Sequence, residues 1–161
     1  MNIMVISDDH GMPGFAEAFE LMKRKTGKID AVFHAGDTQG FDKAYYEAIC
    51  QCPVYIVRGN NDYNDMPYDL FVEIGGKRIF MTHGHNYGVY GDKQRVYYAG
   101  KQRNADVVIF GHTHVPEHIK LPDMDLLNPG SLTLPRRGRC GCCANLLIDG
   151  ADVLITHFTL V

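Results

Sequence analysis

The sequence predicts an α/β fold in which two mixed β-sheets pack face to face as a sandwich flanked by helices. Three observations carry this. Two strand-helix units stand at the start, hairpin patterns fill the second half, and polar residues able to bind metals recur just after apolar strands.

The stretch "NIMVIS" is a short apolar run, and Phe15, Ala18, Phe19 and Met22 follow at i, i+3, i+4, i+7, the spacing of one helix face. "AVFHAG" opens a second unit, whose helical face is expected to be Phe41, Ala44, Tyr45, Ala48 and Ile49. A third strand is expected from Val54 to Val57, ending at Gly59. "DLFVEIGGKRIFMTHG" reads as two strands joined by a Gly75-Gly76 turn. A helix from Asp92 to Arg103 comes next, then strands in "DVVIFGH", "EHIKL" and "DLLNPGS". "ANLLIDGADVLITHFTL" closes as a hairpin turned at Asp149-Gly150. Strand, helix, strand, helix implies a partly parallel sheet, whereas the second half should be mostly antiparallel. Residues 1–161 read as one domain without linkers or repeats.

A chain of 161 residues buries roughly 70% of the surface its unfolded form exposes, enough for a rigid site. Hydrophobic residues at 45% and charged residues at 22% exclude a disordered chain. A net charge of −3 supplies no basic stripe, so duplex nucleic-acid binding is not expected. "MNIMVISDDH" lacks a positive leader, and no apolar run approaches the ~18 residues of a membrane span, so a cytoplasmic location without membrane association is expected. Cys50, Cys52, Cys140, Cys142 and Cys143 are odd in number and lack the paired C-x-x-C spacing of zinc knuckles. They read as reduced thiols.

Asp8 and His10, Asp37, Asn60, His83 and His85, and His112 and His114 each follow a strand carboxyl end. Loops there converge on one crevice in α/β sheets. Side chains at i and i+2 of an extended segment point the same way, so Asp8 with His10, and His112 with His114, can each aim two ligands at one volume. Gly36, Gly59, Gly84 and Gly111 permit tight turns beside them. Oxygen and imidazole donors without thiolate suit Mn²⁺, iron, Ni²⁺ or Zn²⁺. The set exceeds what one tetrahedral ion uses, and two ions sharing a carboxylate would account for it.

The ordered motifs "SDDH", "HAGD", "RGNND", "THGH" and "GHTH" resemble those of the calcineurin-like metallophosphoesterase superfamily. With "NPGS" and "LPR", the chain looks most like its small bacterial and archaeal phosphodiesterase branch, over residues 3 to about 136. The resemblance implies that Asp8, His10 and His114 hold one ion, that Asn60, His83 and His112 hold the other, and that Asp37 bridges them. Mn²⁺ is the expected ion, with iron, Ni²⁺ and Zn²⁺ as alternatives. It further implies hydrolysis of a small phosphodiester by a metal-bridging hydroxide. A phosphomonoesterase of the same fold, or a non-catalytic protein-binding scaffold such as the retromer coat subunit, are the rival readings. Self-association into a homo-oligomer is compatible with each.

Larger family members carry a His directly after the metal-binding Asn, and here that position is Asn61, whose amide cannot act as a general acid. His85, two residues from His83, is the local replacement, which makes Asp37, Asn60 and His85 the catalytic candidates. Asn61 and Arg136 are candidates for substrate binding. Arg137 and Arg139 lie in the same basic loop, and Arg58 is a weaker phosphate candidate. Asp62 is expected either to receive a ligand's ring N–H or to cap a turn. Asp9 reads as an exposed loop acid, His34 as structural, and His118 and His157 as surface strand positions. Tyr87, Tyr90, Tyr97 and Tyr98 could stack a nucleobase or pack the adjacent helix, and packing is the expectation.

Overall fold

The computed structural model describes residues 1–138 and 140–160. The strand β1 (Asn2–Ile6) is followed by α1 (Phe15–Thr26), β2 (Ala31–His34), α2 (Lys43–Cys50) and β3 (Val54–Ile56). The hairpin β4 (Asp69–Ile74) and β5 (Lys77–Thr82) leads through α3 (Gln94–Gln102) to β6 (Val107–Ile109). β7 (Pro116–Lys120), β8 (Asp125–Pro129), β9 (Cys142–Asp149) and β10 (Asp152–Thr159) complete the fold. These strands form two five-stranded sheets, in the orders β10-β9-β1-β2-β3 and β4-β5-β6-β8-β7.

The predicted sandwich is what forms, and period-two alternation explains how it closes. On β1, Ile3 and Val5 face the second sheet and join Phe33, Ile79, Met81, Val107, Ile109 and Leu127 in the core between the sheets. Met4 and Ile6 face the other way, onto Phe15, Phe19 and Met22 of α1 and Tyr46 of α2. A strand buried on both faces must be apolar, as β1 is from Ile3 to Ile6. α3 covers the outer face of the second sheet with Val96 and Ala99 against Phe80, Val108 and Phe110. Each large side chain so enclosed contributes about 1.5–3 kcal/mol through area removed from water.

α1 buries the four residues its spacing predicts, Phe15, Ala18, Phe19 and Met22. The face expected for α2 is displaced: Tyr46 and Cys50 are buried, whereas Ala44 and Ala48 are exposed. Tyr46 sets the rotation because its hydroxyl is drawn inward to Asp9, and two alanines offer little apolar area to compete. Phe41 lies before the helix, which Asp42 caps by accepting the Tyr45 N–H at 2.9 Å.

The antiparallel character expected of the second half holds for β4–β5, β7–β8 and β9–β10, but β5, β6 and β8 run parallel at the centre of the second sheet. The crossover through α3 sets β6 parallel to β5, as α1 and α2 do for the first sheet, and the edge strand β7 returns the chain so that β8 runs parallel to β6. Gly75 and Gly76 turn the β4–β5 hairpin with φ of 59° and 76°. The last hairpin turns one residue later than expected, since Asp149 pairs with Asp152. Among the described residues, no helix is long and apolar enough to cross a membrane. All five cysteines are free thiols.

Candidate metal centre

β1, β2, β3, β5 and β6 all deliver their carboxyl ends to one edge of the sandwich. The loops after them carry Asp8 and His10, Asp37, Asn60, His83 and His85, and His112 and His114. Asp8, Asp37 and His83 are buried, His10, His85 and His112 are intermediate, and the Asn60 side is open to solvent. Two groups of donor atoms lie within 4.8 Å of one another: Asp8, His10 and His114, and Asp8, Asp37 and His83. Asn60 Oδ1 and His112 Nδ1 stand 3.1 and 3.2 Å from His83 Nε2 and so join the second group. The structure thus brings all seven expected ligands together, at the predicted edge.

The backbone is forced to do this. Asp8, His10, Asp37, His112 and His114 occupy the left-handed region, with φ of 55°, 53°, 60°, 68° and 58°. Residues with a Cβ adopt that region at a cost, and Asp, Asn and His are among those found there. Two glycines permit the close approach of neighbouring loops. A Cβ at Gly59 would lie 2.0 Å from Asp37 Oδ1, and one at Gly111 would lie 2.0 Å from Ser7 Oγ.

Hydrogen bonds fix which imidazole nitrogens face inward. His83 Nδ1 donates to the Ala35 carbonyl at 2.6 Å, and His114 Nδ1 to the Leu134 carbonyl at 2.7 Å. His10 Nδ1 donates to Gln39 Oε1 at 2.8 Å. In its neutral form each ring therefore turns an unprotonated Nε2 toward the cluster. His10 Nε2 and His114 Nε2 lie 3.2 Å apart, and Asp8 Oδ1 stands 3.3 Å from the latter. Asp8 Oδ2 accepts from Ser7 Oγ at 2.6 Å and the His112 N–H at 3.1 Å, but its buried Oδ1 has no hydrogen-bond partner.

Converging lone pairs around an orphaned carboxylate oxygen are poorly stable without positive charge between them. The donor set therefore fits divalent cations, in oxygen and imidazole chemistry and not thiolate chemistry. Neighbouring charges favour the cation-binding forms of Asp8 and His112, whereas at His114 a proton competes with a cation. Burial pushes the Asp8 carboxyl up, but His114, His83 and Ser7 outweigh it and hold the group below its ordinary value of 3.8. Burial pulls His114 down, but Asp8 outweighs it and leaves the ring above 6.5. His112 is lowered to about 4 by burial and by His83.

Around these residues a second layer ties the loops together. Asp62 is buried and accepts N–H groups of Asp37 at 2.9 Å, Gln39 at 2.8 Å and Gly59 at 2.8 Å, with Thr38 Oγ1 at 3.2 Å. It receives no ring N–H. It clasps the β2 and β3 loops through their backbones. Asp9 is likewise not the exposed acid expected, being 1% exposed. Tyr46 donates its hydroxyl to Asp9 Oδ2 at 2.5 Å. His34 accepts the Gly36 N–H at Nδ1, so its Nε2 carries the proton that points at Asp9 Oδ2, 3.3 Å away. Ser131 Oγ and Thr133 Oγ1 hold the Asp8 and Asp9 carbonyls at 2.7 and 2.8 Å. Asn128 pins the β6 loop by donating to the Gly111 carbonyl at 2.9 Å.

Asn61 donates its side-chain amide to Asp37 Oδ2 at 2.7 Å and its backbone N–H to Oδ1 at 2.8 Å. His85 opens a 3-10 turn, its ring 5.4 Å from that of His83 and 6.1 Å from that of His112. Burial, then His83, keeps its pKa below 6.5, which works against an imidazolium acid at neutral pH. Arg136 lays its guanidinium 5.2 Å from the centroid of Tyr90, whose ring meets His112 edge-on at 4.8 Å. Arg58 turns elsewhere, donating to the Asp62 carbonyl and stacking over Tyr68. Arg137 is exposed, and Arg139 lies outside the described residues.

Tyr87 and Tyr97 bond Asp69 and Asp123, away from the cluster, and Tyr98 is exposed. His118 pairs with Asp125 at the surface as expected. His157, expected to be exposed, is half-buried and bonds the Asn128 carbonyl. Among the described residues, both donor clusters are made of Asp and His alone. Sequence reasoning missed Gln39, Tyr46 and the roles of Asp9 and Asp62. A short-range signal existed only for Asp62, inside "RGNND".

A sequence profile described as the calcineurin-like phosphoesterase superfamily domain matches residues 1–157. The chain is 33% identical over 159 residues to a protein of Bacillus subtilis (strain 168) named "Probable metallophosphoesterase YsnB", covering 98% of this chain and 90% of that one. A crystal structure from Streptococcus pneumoniae TIGR4, described as a predicted phosphoesterase, is 30% identical with a TM-score of 0.81, covering 98% and 88% of the two chains. Wild-type Vps29 complexed with Zn²⁺, from Entamoeba histolytica, is 26% identical with a TM-score of 0.81, covering 100% and 93%.

Proposed function

The chain belongs to the calcineurin-like phosphoesterase superfamily, and on that premise we propose that it is a phosphodiesterase working through two divalent ions at this edge. Asp8, His10 and His114 would hold one ion, Asn60, His83 and His112 the other, and Asp37 both. Mn²⁺ is the ion favoured, with iron, Ni²⁺ and Zn²⁺ as alternatives. The observation that carries this reading is the buried, partnerless Asp8 Oδ1 facing imidazole nitrogens whose opposite N–H groups are already committed. A scaffold with no use for cations would leave that shell unbalanced. When bound, the ions would supply a nucleophilic hydroxide near neutral pH and neutralise charge on the phosphate oxygens.

The chain's own groups fit the remaining tasks. Asn61 holds Asp37 by both oxygens, fixing the carboxylate that the two ions would share. His85, beside His83 and His112, would offer a neutral ring N–H to a phosphate oxygen, and Arg136 a guanidinium at the rim. A recess lined by Asn61 and Tyr63 flanks the centre, and the Tyr90–Arg136 pair stands on the His112 side. A diester carries two ester groups and can place one of them in the recess. With an amide at position 61 no acid stands beside the ligands, which favours esters with good leaving groups.

The test is turnover of bis(p-nitrophenyl) phosphate against p-nitrophenyl phosphate across added Mn²⁺, Ni²⁺, Zn²⁺ and Fe²⁺. The diester should turn over faster with at least one ion, and faster monoester turnover would reassign the activity to a phosphomonoesterase. Asp37→Ala should lower metal-dependent turnover by more than about a hundred-fold, beyond the loss of an outer partner. No bound metal and no turnover of either ester would overturn the enzyme reading.

A further inference from the structure

A recess of about 390 Å³ opens directly beside the centre, lined by Gln39, Phe41, Asp42, Asn61, Tyr63 and Asn64. Its size falls in the range of small-molecule sites, about 300–1,000 Å³. Two of its walls touch the candidate ligands. Asn61 bonds Asp37 at 2.7 Å and Gln39 bonds His10 at 2.8 Å, so a group seated here is covalently within reach of a phosphate at the centre.

The lining specifies what that group is. Tyr63 is 94% exposed and presents an uncovered ring, while Phe41 has one face stacked on Tyr45 at 4.0 Å and 7°. Aromatic faces of this kind hold flat ring systems by stacking. The amides offer a mixed edge. Gln39 Oε1 is taken by His10, leaving its NH₂; Asn64 Oδ1 is taken by the Met66 N–H, leaving its NH₂; and the Asn61 NH₂ is taken by Asp37, leaving its carbonyl. Among the described residues no lysine or arginine lines the recess, and the Asp42 carboxylate disfavours a second phosphate. A planar, uncharged ring with donors and acceptors on its edge meets all of these conditions.

We propose that this recess seats a nucleobase, so that the substrate is a phosphodiester of a nucleoside. The proposal deepens the phosphodiesterase reading above and rests on it for the position of the phosphate.

Titration calorimetry of the Mn²⁺-loaded protein tests it with AMP, ribose 5-phosphate and phenyl phosphate. AMP should bind about ten-fold or more tightly than ribose 5-phosphate, the worth of one stacked base. In Tyr63→Ala, whose exposed side chain supports no packing, that ratio should fall toward one. Equal affinity for AMP and ribose 5-phosphate, an unchanged ratio in Tyr63→Ala, or phenyl phosphate binding as tightly as AMP would each overturn the assignment. An AMP preference that disappears in Tyr63→Ala, in a protein that hydrolyses no diester, would instead overturn the enzyme reading and leave the base site standing.

Discussion

Asn61 grips Asp37 with two hydrogen bonds, one from its side-chain amide to Oδ2 at 2.7 Å and one from its backbone to Oδ1 at 2.8 Å. The amide therefore orients a candidate ligand, as well as lining the recess beside it. Asn61→Ala removes one charge-assisted bond and should weaken metal affinity by about ten-fold to a hundred-fold. Asn61→Asp sets a like charge against Asp37 and should weaken it more. Metal titration of the purified variants decides, and equal affinity in all three proteins would show that the contact orients nothing.

Metal loading should raise thermal stability. A ligand that binds only the folded state at a hundred times its Kd adds about 2.7 kcal/mol. At about 2–4 °C per kcal/mol for a chain of this size, Tm should rise by roughly 5–10 °C in Mn²⁺ and return in chelator. Asp8→Ala, which removes the orphaned oxygen from both donor clusters, should abolish most of the rise. Calorimetry showing the same shift in wild type and variant would place the metal elsewhere.

The Tyr46 hydroxyl meets a buried carboxylate, Asp9, at 2.5 Å. Tyr46→Phe keeps the ring that packs on Phe15 and His34 but leaves Asp9 Oδ2 with His34 alone. The expected loss is about 1–3 kcal/mol, the cost of stranding a buried polar group. Urea unfolding at neutral pH measures it, and a loss under a few tenths of a kcal/mol would mean that water replaces the hydroxyl.

Far from the centre, Asp106 accepts the Arg78 backbone N–H at 2.8 Å and its guanidinium at 3.1 and 3.2 Å. The Arg78 hydrogen bonds hold its carboxyl below 3.8, against a weaker push from burial. A carboxyl with a depressed folded pKa stabilises fully above the unfolded value and loses that contribution as pH falls through the folded one. Asp106→Asn should thus cost up to about 1 kcal/mol at pH 7, as befits a partly exposed pair. The difference from wild type should narrow once pH falls below 3.8. A difference that stays constant from neutral to acid pH would assign it to packing.

The candidate ligands were legible because each lies within a few residues after an apolar strand end, and strand direction places such positions on one edge. The α1 face was legible for the same local reason. What escaped the sequence depends on partners distant along the chain. Asp9 looked exposed because its burial is made by Tyr46 and His34, 37 and 25 residues away. Asp62 looked like a cap or ring acceptor because its true partners, the N–H groups of Asp37 and Gln39, come from the preceding strand's loop. The rotation of α2 was misread since spacing alone cannot weigh one tyrosine with a buried acceptor against two alanines.

The five left-handed candidate ligands expose the chain to a particular evolutionary hazard. At each of those positions glycine would relieve backbone strain of about 1–2 kcal/mol, so it is the locally favoured replacement where the side chain is not used. Selection for heat resistance alone would accumulate such changes and erase the centre one donor at a time while the sandwich grew firmer. A relative that carries glycines where this chain has Asp8, His10 or His114 would be read as a lineage released from binding metal, even with its fold intact.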